Sequence, residues 1–382
     1  MYRIFYAERD TTLYEKYPKQ NSGIDQILEL IKIASGSKLK GIVQTNQYNT
    51  RFLIDFGSQI TTLSSSIDAG NIPKVANHAK SASIYLNLRA SDASDLLQSY
   101  TIKAFPISES WTNGNGNLAD IPEQRYGASW YYRTSDDIED YWNTGSAHSA
   151  NTSAGTSKVD GGGTWITGSG YEASQSFSNE SPDIRMNITD IVDKWLTNDI
   201  TNNGLIIKRP YSDEISGEVL GNLKFFGRES HTIFVPRLEV AWDDVTNVGS
   251  SSVTEINSDT YIPYIKNIKS EYRMSEIVKF RIGVRPEFPT KTFQTSSFYL
   301  TANRLPTSSY YSIIDSVTNE TIIPFNTTAS KIDCDNNGSF MKLRMDSFMP
   351  ERYYKIMLKI IRATGSFDDT QTYDDFYFKV VN

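Results

Sequence analysis

The sequence predicts an all-β protein of two β-sandwich domains, of the jelly-roll or immunoglobulin-like kind, with one or two short helices. Three observations lead to this prediction. The chain has 382 residues, which is enough for two domains. Aromatic residues make up 12% of it, with 23 Tyr and 18 Phe, which is typical of pleated, half-buried surfaces. Its apolar segments are short and are bounded by Gly, Asn, Ser or Pro.

Composition and charge remove several function classes. A net charge of -7 without a basic run argues against nucleic acid as a partner, because phosphate contacts need clustered Lys and Arg. A single cysteine, Cys334, excludes an internal disulfide, and three histidines leave little material for a transition-metal centre. No apolar run is long enough for a membrane span, and the first residues lack the apolar stretch of a secretory leader. We therefore expect no membrane partner, no secretion and no cofactor.

Residues 1–245 are predicted to form the first domain. Its candidate strands are short and rich in β-branched or aromatic residues, which is typical of a sandwich. They are Arg51–Phe56, Ser83–Leu88, Thr101–Phe105 and Leu205–Lys208.

A polar, Ser-rich stretch without apolar periodicity follows Trp242, and residues 246–258 are predicted to be a linker. Residues 259–382 would form a smaller, immunoglobulin-like sandwich, because apolar and polar residues alternate there with a period of two. Its candidate strands are Ile277–Val284, Phe340–Met345, Tyr354–Ile361 and Phe376–Val381.

Two segments have helical spacing. In Ile24–Ile33, apolar residues recur three and four positions apart, with Ser22 placed as a cap and Gly36 as a stop. The same spacing from Ile188 to Leu196 predicts a short helix of little more than two turns.

Residues 111–182 form a long polar loop dominated by Ser, Gly, Asn and Asp, far beyond the usual loop length. The loop carries tryptophans, which combine a large apolar surface with a hydrogen-bond donor and are enriched in binding sites. Two interpretations stay open: the rings contact a partner or glycan, or they cover the edge of the sandwich itself. The candidate contact residues are Trp111, Trp130, Tyr131, Trp142 and Trp165.

Two short motifs resemble known ligand sites. Residues 168–173 match the G-x-G-x-x-A dinucleotide pattern, but a polar segment follows where a helix is required. Asp333, Asp335 and Asn337 match the start of a calcium loop, but Arg344 stands where a bidentate Glu is needed. We therefore expect Asn337-Gly338 to be a type I′ hairpin turn, with a weak calcium site as the alternative.

No nucleophile elbow, zinc-protease motif or phosphate-binding loop occurs in the chain, so we expect a protein that is not an enzyme. Paired carboxylates for glycoside cleavage stay open, since only geometry can select a pair among 45 Asp and Glu residues.

The N-terminal 240 residues resemble the DNRLRE β-sandwich family, which is related to non-catalytic carbohydrate-binding modules. The most specific match is Asn187–Leu196 followed by Asn202–Lys208, which is similar to the family's helix running into a buried strand. This resemblance implies that the stretch after the Pro-x-x-Asn-x-Gly turn is extended, against the helical spacing of Ile24–Ile33. Further matches are Asp10–Leu13, Pro18–Gly23, Arg51–Phe56, Ser83–Leu86, Ser108–Trp111, Gly127–Trp130, Phe226–Ser230 and Pro236–Val240.

The whole chain resembles virion structural proteins of large contractile-tailed bacteriophages, including those of cyanobacteria. The C-terminal segments that carry this likeness are Ala302–Pro306, Ser309–Asp315 and Pro350–Ile356. The resemblance implies a protein made in the host cytoplasm, located in the virion at the neck, tail, baseplate or capsid surface, and bound to other virion proteins as a homo-oligomer within a symmetric assembly. We also expect the first twenty residues, rich in Tyr and Arg, to be a contact region. The alternatives are a receptor-binding or fibre protein that recognises host surface polysaccharide, and a free bacterial surface adhesin.

Overall fold

The computed structural model describes most of the chain. The described residues are 1–39, 42–74, 82–136, 140–142, 161–216, 218–247, 253–256, 260–266, 268–288, 303–364 and 367–382, without the side chains of 33–47 and 362–369. Strands dominate, and the all-β prediction with two sandwiches is confirmed.

The chain divides into two compact units. The first unit is Phe5–Glu239, and the second combines Val240–Asn382 with Met1–Ile4. The first four residues therefore belong with the C-terminal part of the chain, although sequence analysis placed them in the first domain. Within the second unit, the Arg3 guanidinium lies 3.0 Å from the Asp346 carboxylate, and the Ile4 N–H donates to the Ser347 hydroxyl at 3.2 Å.

All the predicted strands are present. In chain order, the strands are β1 Tyr2–Tyr6, β2 Arg9–Tyr14, β3 Ile27–Leu39, β4 Ile42–Asp55, β5 Ser83–Leu88, β6 Ala90–Ser94, β7 Ser99–Pro106, β8 Ala173–Ser178, β9 Ile184–Asn187, β10 Leu205–Lys208, β11 Gly221–Phe226, β12 Arg237–Ala241, β13 Thr254–Glu255, β14 Tyr261–Lys266, β15 Glu271–Arg273, β16 Ile277–Pro286, β17 Asn303–Arg304, β18 Ser309–Asp315, β19 Thr321–Ile323, β20 Asp333–Asp335, β21 Gly338–Arg344, β22 Arg352–Thr364 and β23 Phe367–Val381.

The strands of the first unit belong to a four-stranded and an eight-stranded sheet, and β1 and β12 cross the boundaries of the unit. The orders of the two sheets are β1-β12-β5-β9 and β6-β11-β3-β4-β10-β7-β8, with β2 added on β4. The strands of the first fifteen residues are mostly buried, with Tyr2, Phe5 and Leu13 at 4% exposure or less. The expectation that the first twenty residues form a contact region is therefore corrected, because most of β1 and β2 lies in the core.

The second unit contains sheets of order β14-β16-β21-β20 and β15-β23-β22-β18-β19, and a parallel pair β13-β17. Its core is aromatic: Phe378 packs against Tyr272, Phe280, Phe348 and Tyr354 with ring centroids 5.7–5.9 Å apart. Edge-to-face and tilted pairs of this kind stabilise a core beyond the area that they bury.

The described residues contain three α-helices: α1 Gly57–Asp68, α2 Thr189–Leu196 and α3 Tyr211–Ile215. The helix predicted at Ile188–Leu196 is confirmed as α2. The helix predicted at Ile24–Ile33 is wrong, because Ile27–Leu39 is a strand in which Leu28 and Leu30 are buried and Glu29 between them is less so. Sequence analysis missed α1, whose buried Ile60 and Leu63 stand among Ser and Thr.

Strands β3 and β4 run as a continuous hairpin past the point where their other neighbours stop. Up to Lys32, β3 pairs with β11, while from Thr50 onwards β4 pairs with β2. Where the two strands separate, the Thr50 hydroxyl replaces the backbone ladder: it accepts from the Ile31 N–H at 2.7 Å and donates to the Glu29 carbonyl at 2.6 Å. The side chain thus satisfies two backbone groups that the divergence would leave unpaired.

We expect Thr50→Val to lower the free energy of unfolding by about 2 kcal/mol, because it leaves a buried N–H and carbonyl without partners. Thr50→Ser keeps the hydroxyl and is the matched control, with a loss well below that of the valine variant. Urea unfolding followed by tryptophan fluorescence measures both, since five of the six tryptophans lie in the first unit. Equal losses for the two variants would contradict the role given to the hydroxyl.

Candidate functional site

The tryptophans of the predicted loop come together, but inside the protein. Trp111, Trp130, Trp142 and Trp165 belong to one buried cluster, here called the indole cluster, and Tyr131 packs half-buried against it. The exposed fractions of the four tryptophans run from 1% to 5%. This corrects the expectation that these rings contact a partner or a glycan, because a sugar cannot stack on a covered ring. The alternative interpretation placed the rings on the edge of the sandwich. They do pack against the sandwich, but on β4, β7 and β10, which lie inside the eight-stranded sheet.

The indole cluster is completed by apolar side chains from strands of the eight-stranded sheet, including Leu13, Leu53 and Ile206. Two of the indole N–H groups find backbone acceptors: Trp111 donates to the Asn203 carbonyl at 2.8 Å and Trp142 to the Ser129 carbonyl at 2.9 Å. Such bonds fix the orientation of each ring in addition to burying it.

The polar loop is ordered by one buried amide, Asn21, which lies in the Pro-x-x-Asn-x-Gly turn. Its amide nitrogen donates to the carbonyls of Asn113 and Ala128, both at 2.8 Å. Its side-chain oxygen accepts from the backbone N–H groups of Gly23 at 3.1 Å and Gly116 at 2.8 Å. One side chain therefore ties the turn before β3 to the first part of the loop that carries the tryptophans.

A buried charge centre lies beside the indole cluster. The Glu214 carboxylate accepts both the Nε and Nη2 donors of Arg51, at 2.9 and 3.0 Å. It also pairs with the Lys208 ammonium at 2.6 Å. Each of these side chains is exposed by 6% or less. The Arg51–Glu214 pair is bidentate, which is the strongest geometry for such a pair, but the centre holds two cations for one anion.

The indoles surround these cations. Arg51 lies 4.9 Å from the ring centre of Trp130 and 5.1 Å from that of Trp165, and the Lys208 ammonium lies 5.1 Å from the Trp165 ring. The negative faces of the rings add to the stabilisation of the two buried cations, which share one carboxylate. The Trp165 indole N–H is buried without an acceptor in the described part of the chain.

Gly162 lies against the Arg51 guanidinium and the Trp130 ring. Its carbonyl accepts from Arg51 Nη1 at 2.8 Å, and its φ is +83°. A Cβ at this position would lie 2.4 Å from that same Arg51 nitrogen and 2.9 Å from the Trp130 ring. Only glycine fits both the backbone conformation and the space, so this end of the predicted loop is part of the core. Loop residues 143–160 lie outside the described residues.

Burial lowers the pKa of Lys208 to about 8, and the Glu214 carboxylate opposes that shift only in part. When Lys208 loses its proton, one cation and one anion remain, and the pair Arg51–Glu214 is balanced. The folded chain therefore releases the Lys208 proton at a lower pH than the unfolded chain does.

The carboxylates of the alternative calcium site already have other partners. Asp335 pairs with Lys279 at 2.6 Å and with Arg281, whose hydrogen bond holds the pKa of that carboxyl well below its usual range. Asp333 accepts from the backbone N–H groups of Asn247 at 2.8 Å and Cys334 at 2.7 Å. These oxygens are already used by donors, which a calcium ion would have to displace.

The hairpin prediction at this position is confirmed, because β20 pairs with β21 in the register Asp335↔Gly338. The connecting residues are Asn336 and Asn337, one position earlier than predicted. Within this turn the positive φ of +108° belongs to Gly338, so the turn is not of type I′. The dinucleotide match at 168–173 leads into strand β8, which agrees with its rejection.

Among the described residues, no group of three or more His, Cys, Asp and Glu side chains is placed to hold a metal ion. No described helix is long and apolar enough to cross a membrane.

The β3–β4 ribbon, defined as Ile33–Leu39 paired with Ile42–Tyr48, is a second feature of functional interest. Seven register pairs, from Ile33↔Tyr48 to Leu39↔Ile42, hold its two strands to each other. In the described part of the chain no further strand pairs with either of its outer edges. Both edges therefore present backbone N–H and C=O groups outward.

Sequence reasoning missed the charge centre and the ribbon. Arg51 and Lys208 stand at the ends of the family-like segments Arg51–Phe56 and Asn202–Lys208, but nothing in these segments indicates an ion pair, and Glu214 lies in no motif. The apolar residues at the start of β3 and the Thr and Val residues of β4 could have indicated two strands. They do not show how far the ribbon extends beyond the neighbouring strands.

Comparisons with known proteins give little. No family model matches the chain, and no curated protein matches it. The solved structure of a DUF4785 family protein from Legionella pneumophila is similar to it at 6% identity and a TM-score of 0.21. That alignment covers 100% of this chain, which spans 62% of the length of the Legionella protein. A TM-score this low supports no argument about fold or function.

We expect Glu214→Gln to cost about 3–5 kcal/mol of unfolding free energy, because it leaves Arg51 and Lys208 as uncompensated buried cations. Glu218→Gln, at an exposed position four residues later, is the control, with a change within about 0.5 kcal/mol. Urea unfolding followed by tryptophan fluorescence gives both values. A small loss for Glu214→Gln would show that the centre does not depend on this carboxylate.

A pH dependence follows from Lys208. Its pKa is about 8 in the folded state and 10.5 in the unfolded state, so the unfolded chain binds more protons between these values and stability rises with pH there. Between pH 7.5 and 9.5 the unfolding free energy of the natural protein should rise by about 2 kcal/mol relative to that of Lys208→Met. Parallel pH profiles of the two proteins would contradict the lowered pKa.

Proposed function

We propose that this chain is a non-enzymatic structural subunit of a contractile-tailed bacteriophage virion. It would assemble with other virion proteins through the surfaces of its β-sandwiches, as a homo-oligomer within a symmetric particle. Two things support the proposal: the resemblance of the whole chain to virion structural proteins, and the β3–β4 ribbon. The ribbon is the observation that carries it.

A two-stranded hairpin is marginally stable alone in water, and a third strand or a packed face is needed to hold it. The ribbon extends roughly 23 Å beyond its sheet, at ~3.3 Å per residue for seven pairs. Its two open edges offer main-chain hydrogen bonds to an added strand from a neighbouring subunit. Pairing of this kind would complete the ribbon and join the subunits in one step.

The glycan-binding alternative loses its main support in the burial of Trp111, Trp130, Trp142 and Trp165. Assembly through strand edges needs no exposed indole.

Immunogold electron microscopy of intact virions, with antibody raised against the purified protein, tests the location. We expect label at the neck, tail, baseplate or capsid surface. Label confined to fibre tips would favour the receptor-binding alternative. Absence of label, together with absence of the protein from the virion proteome, would contradict the proposal.

A shortened ribbon tests the role of the edges. Replacing residues 34–47 by Asn-Gly joins the paired residues Ile33 and Tyr48 through a two-residue hairpin turn. We expect this variant to keep the urea midpoint of the natural protein within error but to be lost from particles. The control joins Ile361 to Thr370 in the same way at the end of the β22–β23 hairpin and should enter particles normally. Normal incorporation of the shortened-ribbon variant would remove the ribbon from the assembly contacts.

A further inference from the structure

One outer sheet face of the second unit is basic. It belongs to the sheet of order β14-β16-β21-β20, whose other face packs into the aromatic core through Phe280. Three neighbouring strands each direct cations outward, and all of these side chains are exposed or partly exposed. They are Lys266 on β14, Lys279 and Arg281 on β16, and Lys342 on β21, here called the basic face.

The register of the sheet sets these cations against each other. Lys266 lies directly opposite Arg281, and Lys279 lies directly opposite Lys342. Residues paired in this way have their side chains on the same face, where like charges destabilise the pairing. Two such pairs stand on adjacent strands, and an external anion would relieve the repulsion in both.

Within the described part of the chain, one carboxylate is paired with the basic face. Asp335 on β20 lies 2.6 Å from the Lys279 ammonium and also pairs with Arg281. Among the described residues, Lys266 and Lys342 make no ion pair. The face therefore keeps an excess of positive charge that is open to solvent.

Phe340 on β21 holds three of these cations in position. The cationic groups of Lys279, Arg281 and Lys342 lie 3.7, 5.4 and 5.5 Å from the centre of its ring. The ring is only 5% exposed. Cation–π contacts of this kind orient the side chains before a partner arrives, so less conformational freedom is lost on binding.

The charge distribution of the chain indicates what this face binds. The second unit contains as many Lys and Arg as Asp and Glu, so the whole net charge of -7 belongs to the first unit. There, Asp190 and Asp193 on α2 and Asp199 just after it form a cluster of carboxylates, here called the acidic group. Burial raises the pKa of Asp193, and the neighbouring Asp190 and Asp199 add to that shift. Lys194 pairs with Asp199 at 2.9 Å, which leaves the group net negative.

We propose that the basic face of one copy of this chain binds the acidic group of a second copy. The inference rests on the homo-oligomer proposed above and identifies one of its contacts. Because the two surfaces differ, the contact is heterologous, and its repetition closes a ring or extends a filament. Complementary charges of this kind steer the encounter and fix its register, and salt screens them.

Charge reversal on the basic face separates assembly from folding. Lys266→Glu and Lys342→Glu, made together, each put a carboxylate opposite a cation of β16, so the sheet gains favourable pairs while the face loses its positive charge. Lys269→Glu with Arg273→Glu is the matched control. It changes the net charge equally, at exposed positions on or beside β15 in the other sheet.

Sedimentation velocity of the full-length proteins measures self-association. We expect the natural protein and the control to form oligomers at about 20 mM NaCl that dissociate at about 300 mM NaCl. The basic-face variant should associate at least about tenfold more weakly, and so should Asp190→Asn with Asp199→Asn. An equimolar mixture of these two variants should form a complex of one copy of each and nothing larger, because each variant keeps only one of the two surfaces.

A natural protein that is monomeric at about 20 mM NaCl, or oligomers that do not dissociate with salt, would overturn the proposal even if a variant does not fold. Unchanged association of the basic-face variant, or no complex in the mixture, would also overturn it. If a single-stranded DNA oligonucleotide binds the basic face of a monomeric natural protein, the partner is nucleic acid and not a second copy. These measurements use no particles, so their failure and absence of the protein from virions are separate results.

Discussion

The first unit depends on how one carboxylate, Glu214, compensates two buried cations. Glu214 stands on the short helix α3, Arg51 on β4 and Lys208 at the end of β10. The ion pairs therefore connect β4 to β10 and α3, which follow each other in the chain but are distant from β4. The faces of the Trp130 and Trp165 rings stabilise the excess positive charge by cation–π contacts. The long polar loop is held to the sandwich here, which explains why its tryptophans point inward.

Most of the fold was predictable because its strands are short β-branched, aromatic or alternating segments bounded by turn residues. Leu205–Lys208 and Ser83–Leu88 have the predicted bounds, and Ile188–Leu196 forms the predicted helix. Periodicity gave the wrong prediction for Ile24–Ile33, because this segment has a helical spacing and also apolar residues two positions apart, Leu28 and Leu30. Only pairing with β11 selects the strand. Local sequence does not contain that partner. Helix α1 was not predicted because its sequence is rich in Ser and Thr. Tertiary packing of Ile60 and Leu63 stabilises it.

The functional residues were predictable only in part. Sequence reasoning grouped Trp111, Trp130, Trp142 and Trp165 correctly, since they meet in one cluster, but it could not orient them. Orientation depends on contacts such as those of Asn21 and Gly162, which are made across about a hundred residues and leave no local pattern.

The grouping of Met1–Ile4 with Val240–Asn382 has a consequence for synthesis on the ribosome. The second unit is discontinuous, so its first strand segment emerges long before the residues that bind it. The intervening Phe5–Glu239 can fold as one body in the meantime, and this brings the two ends of a very long segment together before the second unit closes. Vectorial folding of this order leaves Tyr2 and Ile4, both 2% exposed in the folded protein, accessible to chaperones until Val240–Asn382 has been synthesised.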